Sequence, residues 1–338
     1  MFSKKLIVLA LALYCFVPIV SLHAETSDPG RFNFTSGQTK VEIPFYTFNN
    51  QVVLSVWVND KVPLNFILDT GTRQVLIFDR KLAKDLGIGF GRKIQFSGIG
   101  NNHVVNAFRG RGVKLSLPGI EGDMMGAAVL SSDYMDMKRF DIHGIIGYQL
   151  FFRFAVKIDY HNRVLTLMEP NNYNAAGYHA LDMQIENSKP FIHSRMKLEN
   201  EEEVQLKLMI DTGAAYGLFL ITGTHPAIRV PKNSQKMRLG SGLGGELKGF
   251  KGKSTLKLNT ELISEITTFY VRPRDFSKKG NELGRMGSIG SDLLNDYVVI
   301  IDYVNSKMLI QVPTEATYIN KPSLYQKRTA INTYRLSQ

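Results

Sequence analysis

Two stretches decide the reading of this chain: Ile67-Leu68-Asp69-Thr70-Gly71-Thr72 and Met209-Ile210-Asp211-Thr212-Gly213-Ala214. Each runs from apolar residues into Asp-Thr-Gly and then a small residue, and the two aspartates stand 142 residues apart. Working outward, Ser97-Gly98-Ile99-Gly100 corresponds to Ser241-Gly242-Leu243-Gly244, 144 residues on. Gly144-Ile145-Ile146-Gly147 matches Gly287-Ser288-Ile289-Gly290, and Val156-Lys157-Ile158-Asp159-Tyr160 matches Val299-Ile300-Ile301-Asp302-Tyr303, both 143 residues on. Landmarks that keep one spacing to within a residue make the chain an internal duplication.

Within each half the local pattern is that of strands. Val52 to Val58 is rich in β-branched residues, Asn59-Asp60-Lys61 is turn-forming, and Leu64 to Leu68 follows, so a hairpin delivers Asp69 at its end. In the second half Phe191 to Leu198 and Val204 to Ile210 are the matching strands, with the acidic Glu199 to Glu203 as a solvated loop between them. A short helix is expected after the first motif, with Asp79 as its cap, Leu82, Ala83 and Leu86 as its apolar face, and Gly87 ending it. Otherwise β-structure dominates. The polar stretch Pro170 to Gly177 marks the link between halves. The expected division is 1–24 as a leader, 25–40 as a short N-terminal segment, 41–172 and 173–313 as two lobes, and 314–338 as a tail. That tail, with Tyr318, Tyr325 and Tyr334 among basic residues, suits either a strand of a sheet between the lobes or a surface-binding extension, the first being favoured.

A chain of 338 residues with 44% apolar side chains can bury a substantial core. It starts Met-Phe-Ser-Lys-Lys, continues through the apolar Leu6 to Val20, and reaches Ser21-Leu22-His23-Ala24. This is the layout of a secretory leader cleaved after Ala24. The apolar run is short for a bilayer span and holds Pro18. Export to the periplasm or medium is therefore expected. The single cysteine, Cys15, lies inside the leader behind bulky Tyr14, which speaks against a lipid-anchored form and leaves the mature chain without a thiol. Without Lys4 and Lys5 the chain carries 39 Lys and Arg against 30 Asp and Glu, a net +9. These cations are scattered, so weak association with anionic surfaces is expected and nucleic-acid binding is not.

At the paired motif the sequence resembles the two-lobed, retropepsin-like aspartic peptidases of the secreted, bacterial type, related to pepsin and to the retroviral proteases. The resemblance covers most of residues 40 to 312. It rests on the apolar-apolar-Asp-Thr-Gly-small segments at Asp69 and Asp211, and on Ile145-Ile146-Gly147 and Ser288-Ile289-Gly290 downstream, where Ser288 departs from the apolar pattern. It implies an all-β, bilobal acid-protease fold: two related retropepsin-like β-barrel lobes with a few short helices. It also implies an aspartic endopeptidase acting on peptide or protein substrates with no cofactor and no metal. Thr70 and Thr212 are assigned by it to cross-lobe hydrogen bonds. Gly147 and Gly290 would pack against the catalytic loops. Gly98, Ile99 and Gly100, with Gly242, Leu243 and Gly244, fall where the family places hairpin flaps; no flap tyrosine of the pepsin kind is present, which is closer to the retroviral type.

The chemistry of the motif follows from the reaction. Peptide hydrolysis needs a base for the water and an acid for the carbonyl oxygen and the leaving nitrogen. Two carboxylates held together keep one proton between them and supply both. Gly71 and Gly213 allow the tight turn that brings backbone amides to the carboxylates. The Thr72 hydroxyl, absent at Ala214, is expected to donate to the first carboxylate, which would make Asp69 the more readily ionised partner. Since one chain supplies both motifs, a monomer should suffice.

Other chemistries fit less well. An aspartyl-phosphate site needs further acidic residues for magnesium and a parallel sheet, whereas Gly71 and hairpins stand here. The glycines from Gly240 to Gly245 lack a Gly-Lys-Ser/Thr ending. His103, His143 and His161 show no metal-ligand spacing, and no Gly-x-Ser-x-Gly elbow is visible. The rival of a different class is a non-catalytic peptide-binding protein on the same fold. Residues Glu25 to Lys40 are few for an inhibitory prosegment of the pepsin type.

Overall fold

The computed structural model describes residues 30–100, 104–131, 137–198, 203–258, 261–273 and 283–313. The expected leader, the first residues of the N-terminal segment, the C-terminal tail, His103, most of the acidic loop and the end of the first glycine segment (101–102) lie outside the described residues. Among the described residues the fold is nearly all strand, arranged as two curled sheets with three short helices.

Both halves use the same frame. In the first, strands Gln51–Val58 and Val62–Leu68 pair antiparallel, and Asn59 and Asp60 turn the corner at φ 51° and 55°, a backbone state that short polar side chains tolerate. Strand Gly144–Ile146 then lies parallel to Val62–Leu68, with Leu68 opposite Ile146, and antiparallel to Val75–Ile77. In the second, Lys189–Lys197 and Glu203–Asp211 form the hairpin, Gly287–Gly290 lies parallel to it with Asp211 opposite Gly290, and Leu218–Ile221 runs antiparallel to that. The expected strands are thus present, each slightly longer than the sequence indicated. Burial along Glu203–Asp211 explains the change of pattern: it alternates at first, as a half-exposed strand must, and then Leu208 to Asp211 are all buried where the strand enters the interior.

The halves join through a sheet between them. Strands Lys40–Pro44, Val164–Met168 and Ala155–Asp159 of the first half continue into Val298–Asp302, Lys307–Gln311 and His179–Glu186 of the second. At its centre the two repeated Ile-Asp-Tyr strands meet antiparallel, Ile158 opposite Val299 and Val156 opposite Ile301. Each ends in a buried aspartate that holds the next turn. Asp159 accepts from the Asn162 amide and side chain at 2.9 Å each, and Asp302 from those of Asn305 at 3.0 and 2.6 Å.

The expected helix is Arg80–Asp85. Asp79 caps it, accepting from the Lys81 and Leu82 amides at 2.8 and 3.1 Å, and Gly87 follows at φ 79°. Two further helices of a single turn, Tyr148–Phe151 and Ser291–Leu294, follow Gly147 and Gly290, so the duplication extends to them. One large apolar cluster runs through both lobes, and each lobe has a smaller second cluster on the side of its glycine hairpin.

Candidate active site

Asp69 follows the strand Val62–Leu68 and Asp211 ends Glu203–Asp211, so each is delivered by the central strand of its half. The Thr that follows each one locks the two loops together. Thr70 Oγ1 donates to the Ile210 carbonyl at 2.7 Å and accepts from the Thr212 amide at 3.1 Å. Reciprocally, Thr212 Oγ1 donates to the Leu68 carbonyl at 2.9 Å and accepts from the Thr70 amide at 3.1 Å. Both threonines are fully buried. Every polar atom of this exchange is satisfied across the lobe boundary, where an unpaired one would cost about 1–3 kcal/mol.

The glycines let the carboxylates approach. A Cβ built on Gly213 would fall 2.6 Å from both carboxylate oxygens of Asp69, and one on Gly71 would lie 2.9 Å from Asp69 Oδ1 and 3.6 Å from Asp211 Oδ1. Each loop thus passes over the carboxylate region with no room for a side chain. The Gly71 amide donates to Asp69 Oδ1 at 2.6 Å. Gly147 and Gly290 pack where expected: a Cβ at either would collide with backbone carbonyls, of Asp69 and of Tyr216 respectively.

Thr72 does not do what its position suggested. Its hydroxyl donates to the Gln74 carbonyl at 3.0 Å, a local turn bond, and leaves the carboxylate alone. Inequality between the two aspartates comes instead from the second half. Arg285, 3% exposed, puts Nη2 3.4 Å from Asp211 Oδ2 and also donates to Ser288 Oγ. The sequence reading missed Arg285, although Ser288, the noted break in the apolar pattern, is its partner. Lys189 adds a second positive charge near the pair. Its counterpart is Gln51: both follow a two-residue hairpin turn with positive φ, Asn49-Asn50 and Asn187-Ser188. The Gln51 side chain donates to the Gly213 carbonyl, so the first half reaches across to the second Asp-Thr-Gly loop.

These surroundings act on the carboxyls as follows. Burial, and then repulsion from Asp211, push Asp69 from 3.8 up to about 7, against smaller opposing effects of the Gly71 amide, Lys189 and Arg285. Burial also raises Asp211, but the Arg285 guanidinium and then Lys189 oppose it. The two aspartates therefore titrate as a pair that keeps a proton well above the usual carboxylate range.

The glycine segments are the tips of two hairpins. Gly89–Ser97 pairs with Val104–Arg111, and Lys236–Gly242 pairs with Gly245–Leu258 around Leu243 and Gly244. The tips meet: the Gly244 amide donates to the Ile99 carbonyl at 3.0 Å, and a Cβ on Gly98 would fall 2.7 Å from that of Leu243. Each apolar tip residue seats on the other half. Ile99 packs on the cluster of Phe219, Ile221, Leu247 and Val271, and Leu243 on the cluster that contains Ile67, Leu76 and Ile145. Tyr216 steadies the second hairpin by donating to the Leu239 carbonyl at 2.8 Å.

No curated protein matches the chain. Residues 54–150, which hold the first motif and its downstream Ile145-Ile146-Gly147 but end before Asp211, match the family model described as aspartyl protease. That match covers 97 of the 338 residues and makes the first half similar to the aspartyl protease family.

Proposed function

We propose that the chain is an aspartic endopeptidase in which Asp69 and Asp211 activate one water molecule against a peptide carbonyl. The observation that carries this reading is the reciprocal exchange between Thr70 and Thr212, which brings two Asp-Thr-Gly loops from separate repeats against each other. The ionised carboxylate takes a proton from water as its oxygen bonds to the carbonyl carbon, while the protonated carboxyl donates to the carbonyl oxygen. Collapse breaks the carbon–nitrogen bond as the leaving nitrogen takes a proton from the pair. The two glycine hairpins would part to admit an extended peptide and close over it, offering strand-like hydrogen bonds and excluding water. One chain holds both halves of the pair, so it works as a monomer. The proposed setting is outside the cytoplasm, reached through the leader.

Digestion of a mixed peptide library from acid to neutral pH tests this reading. The wild-type chain should cleave, and Asp69→Asn and Asp211→Asn should each lose about 10²–10⁴-fold in rate. Equal cleavage by all three would sink it. A second reading, peptide binding without catalysis, draws support from the guanidinium resting on Asp211. It predicts no cleavage by the wild type and undiminished peptide binding by both variants.

A further inference from the structure

Arg285 stands just before the strand Gly287–Gly290 and is held from three sides. Its Nη2 touches Asp211 Oδ2 at 3.4 Å and Ser288 Oγ, and its guanidinium carbon lies 4.9 Å above the centre of the Phe219 ring. Those partners lie on three different strands, so the cation is fixed in position. Among the described residues, the first half has no cation at the matching place. At the matching places in the repeat stand Ile142, Ile145 and Leu76, all buried in an apolar cluster.

The other groups that face the pair confirm the direction of the field. Lys189, at the start of Lys189–Lys197, acts on both carboxyls. Tyr303 lies beneath the loops, its hydroxyl 3.4 Å from the Thr70 carbonyl, and Tyr216 follows the second motif. Burial keeps both phenols neutral. Among the described residues, the two cations that act on the pair, Lys189 and Arg285, both belong to the second half, and Arg285 lies 3.4 Å from Asp211.

The geometry points to Arg285 as the positioning residue that keeps the charge of the pair on Asp211 and its proton on Asp69. A cation at contact distance favours the ionised form of the carboxylate it touches. Among the described residues no cation touches Asp69; the Gly71 amide donates to it and Asp211 lies beside it. The consequence for hydrolysis, which rests on the peptidase reading, is a division of labour. Asp211 takes the proton from water as the carbon–oxygen bond forms, and Asp69 gives its proton to the carbonyl oxygen. On collapse Asp211 returns its proton to the leaving nitrogen and the hydroxyl oxygen returns one to Asp69. One water is consumed and both carboxyls regain their starting states.

Carbon-13 NMR titration of the aspartate carboxyl carbons in the full chain tests the assignment without relying on turnover. Asp69→Asn and Asp211→Asn identify the two signals. In the wild type the Asp211 signal should ionise at lower pH than that of Asp69. Arg285→Met should raise the first ionisation of the pair by about 1–3 pH units, and Arg285→Lys should restore most of that shift. If Asp69 ionises first, or if Arg285→Met leaves the first step in place, the assignment is overturned. The wild-type order alone decides the matter should Arg285→Met not fold. Where the wild type cleaves peptides, the acid limb of kcat/KM should move with the same step in Arg285→Met. A uniform fall in kcat with an unmoved limb would mark Arg285 as merely structural. A wild type that cleaves nothing defeats the peptidase reading, while the order of ionisation still settles this one.

Discussion

The two halves of the molecule share a backbone plan and differ in what they aim at the aspartates. Behind Asp69 the repeat places Ile142 and Ile145 in an apolar cluster, and Gln51 at the hairpin turn. Behind Asp211 the same positions hold Arg285, Ser288 and Lys189. The threonines, glycines and flanking strands that set geometry match position for position. Duplication thus preserves what two loops need in order to meet, and divergence settles in the side chains that decide which carboxyl carries the proton.

Matched substitutions separate the two environments most strongly. Arg285→Met strands the Asp211 charge in the interior and should destabilise the chain by about 3–5 kcal/mol at neutral pH, a loss that shrinks in acid as Asp211 takes a proton. Ile142→Ala, at a fully buried site, should cost about 2–5 kcal/mol with no such pH dependence. Urea unfolding across pH measures both, and parallel pH profiles would erase the distinction. The wild type should show its own trend. Asp69 has a raised folded-state value, so the stability it contributes is complete below its ordinary 3.8 and is lost as pH rises through about 7. Asp69→Asn should flatten that slope.

The glycines offer a finer contrast. Gly213→Ala forces a methyl against both oxygens of Asp69 and should lower kcat/KM by about 10²-fold through misplacement of the carboxyl. Gly71→Ala meets one oxygen and the flexible end of Met209, so its loss should be smaller. The reverse order would mean that the loops are not arranged as described. Where the halves are equivalent, effects should be equal. Thr70→Val and Thr212→Val each leave a buried amide unpaired and should each cost about 1–3 kcal/mol in unfolding free energy. A marked inequality there would show that the cross-lobe exchange is not reciprocal.

Much of this frame is legible in the sequence because it is local. Alternation and turn residues give the hairpins, Asp79 and Gly87 bound the helix, and repeated motifs give the symmetry. The cross-strand meeting of Val156 with Ile301 pairs residues far apart in the chain, and no local pattern encodes it. Thr72 was misjudged because a hydroxyl has several acceptors within reach and the nearest was a carbonyl two residues on. Arg285 was legible only by comparison. Aligned at the repeat spacing it replaces Ile142, and with Ser288 replacing Ile145 the pair forms a polar contact inside an otherwise apolar strand layer.

The central claim is that Asp69 and Asp211 of one chain form a single working pair. Peptide cleavage by the wild type, by Asp69→Asn, by Asp211→Asn and by an equimolar mixture of the two variants tests it most directly. Cleavage by the wild type alone is the predicted result, with the mixture as inactive as its components. Wild-type rates from either variant, or activity restored by mixing, would contradict it.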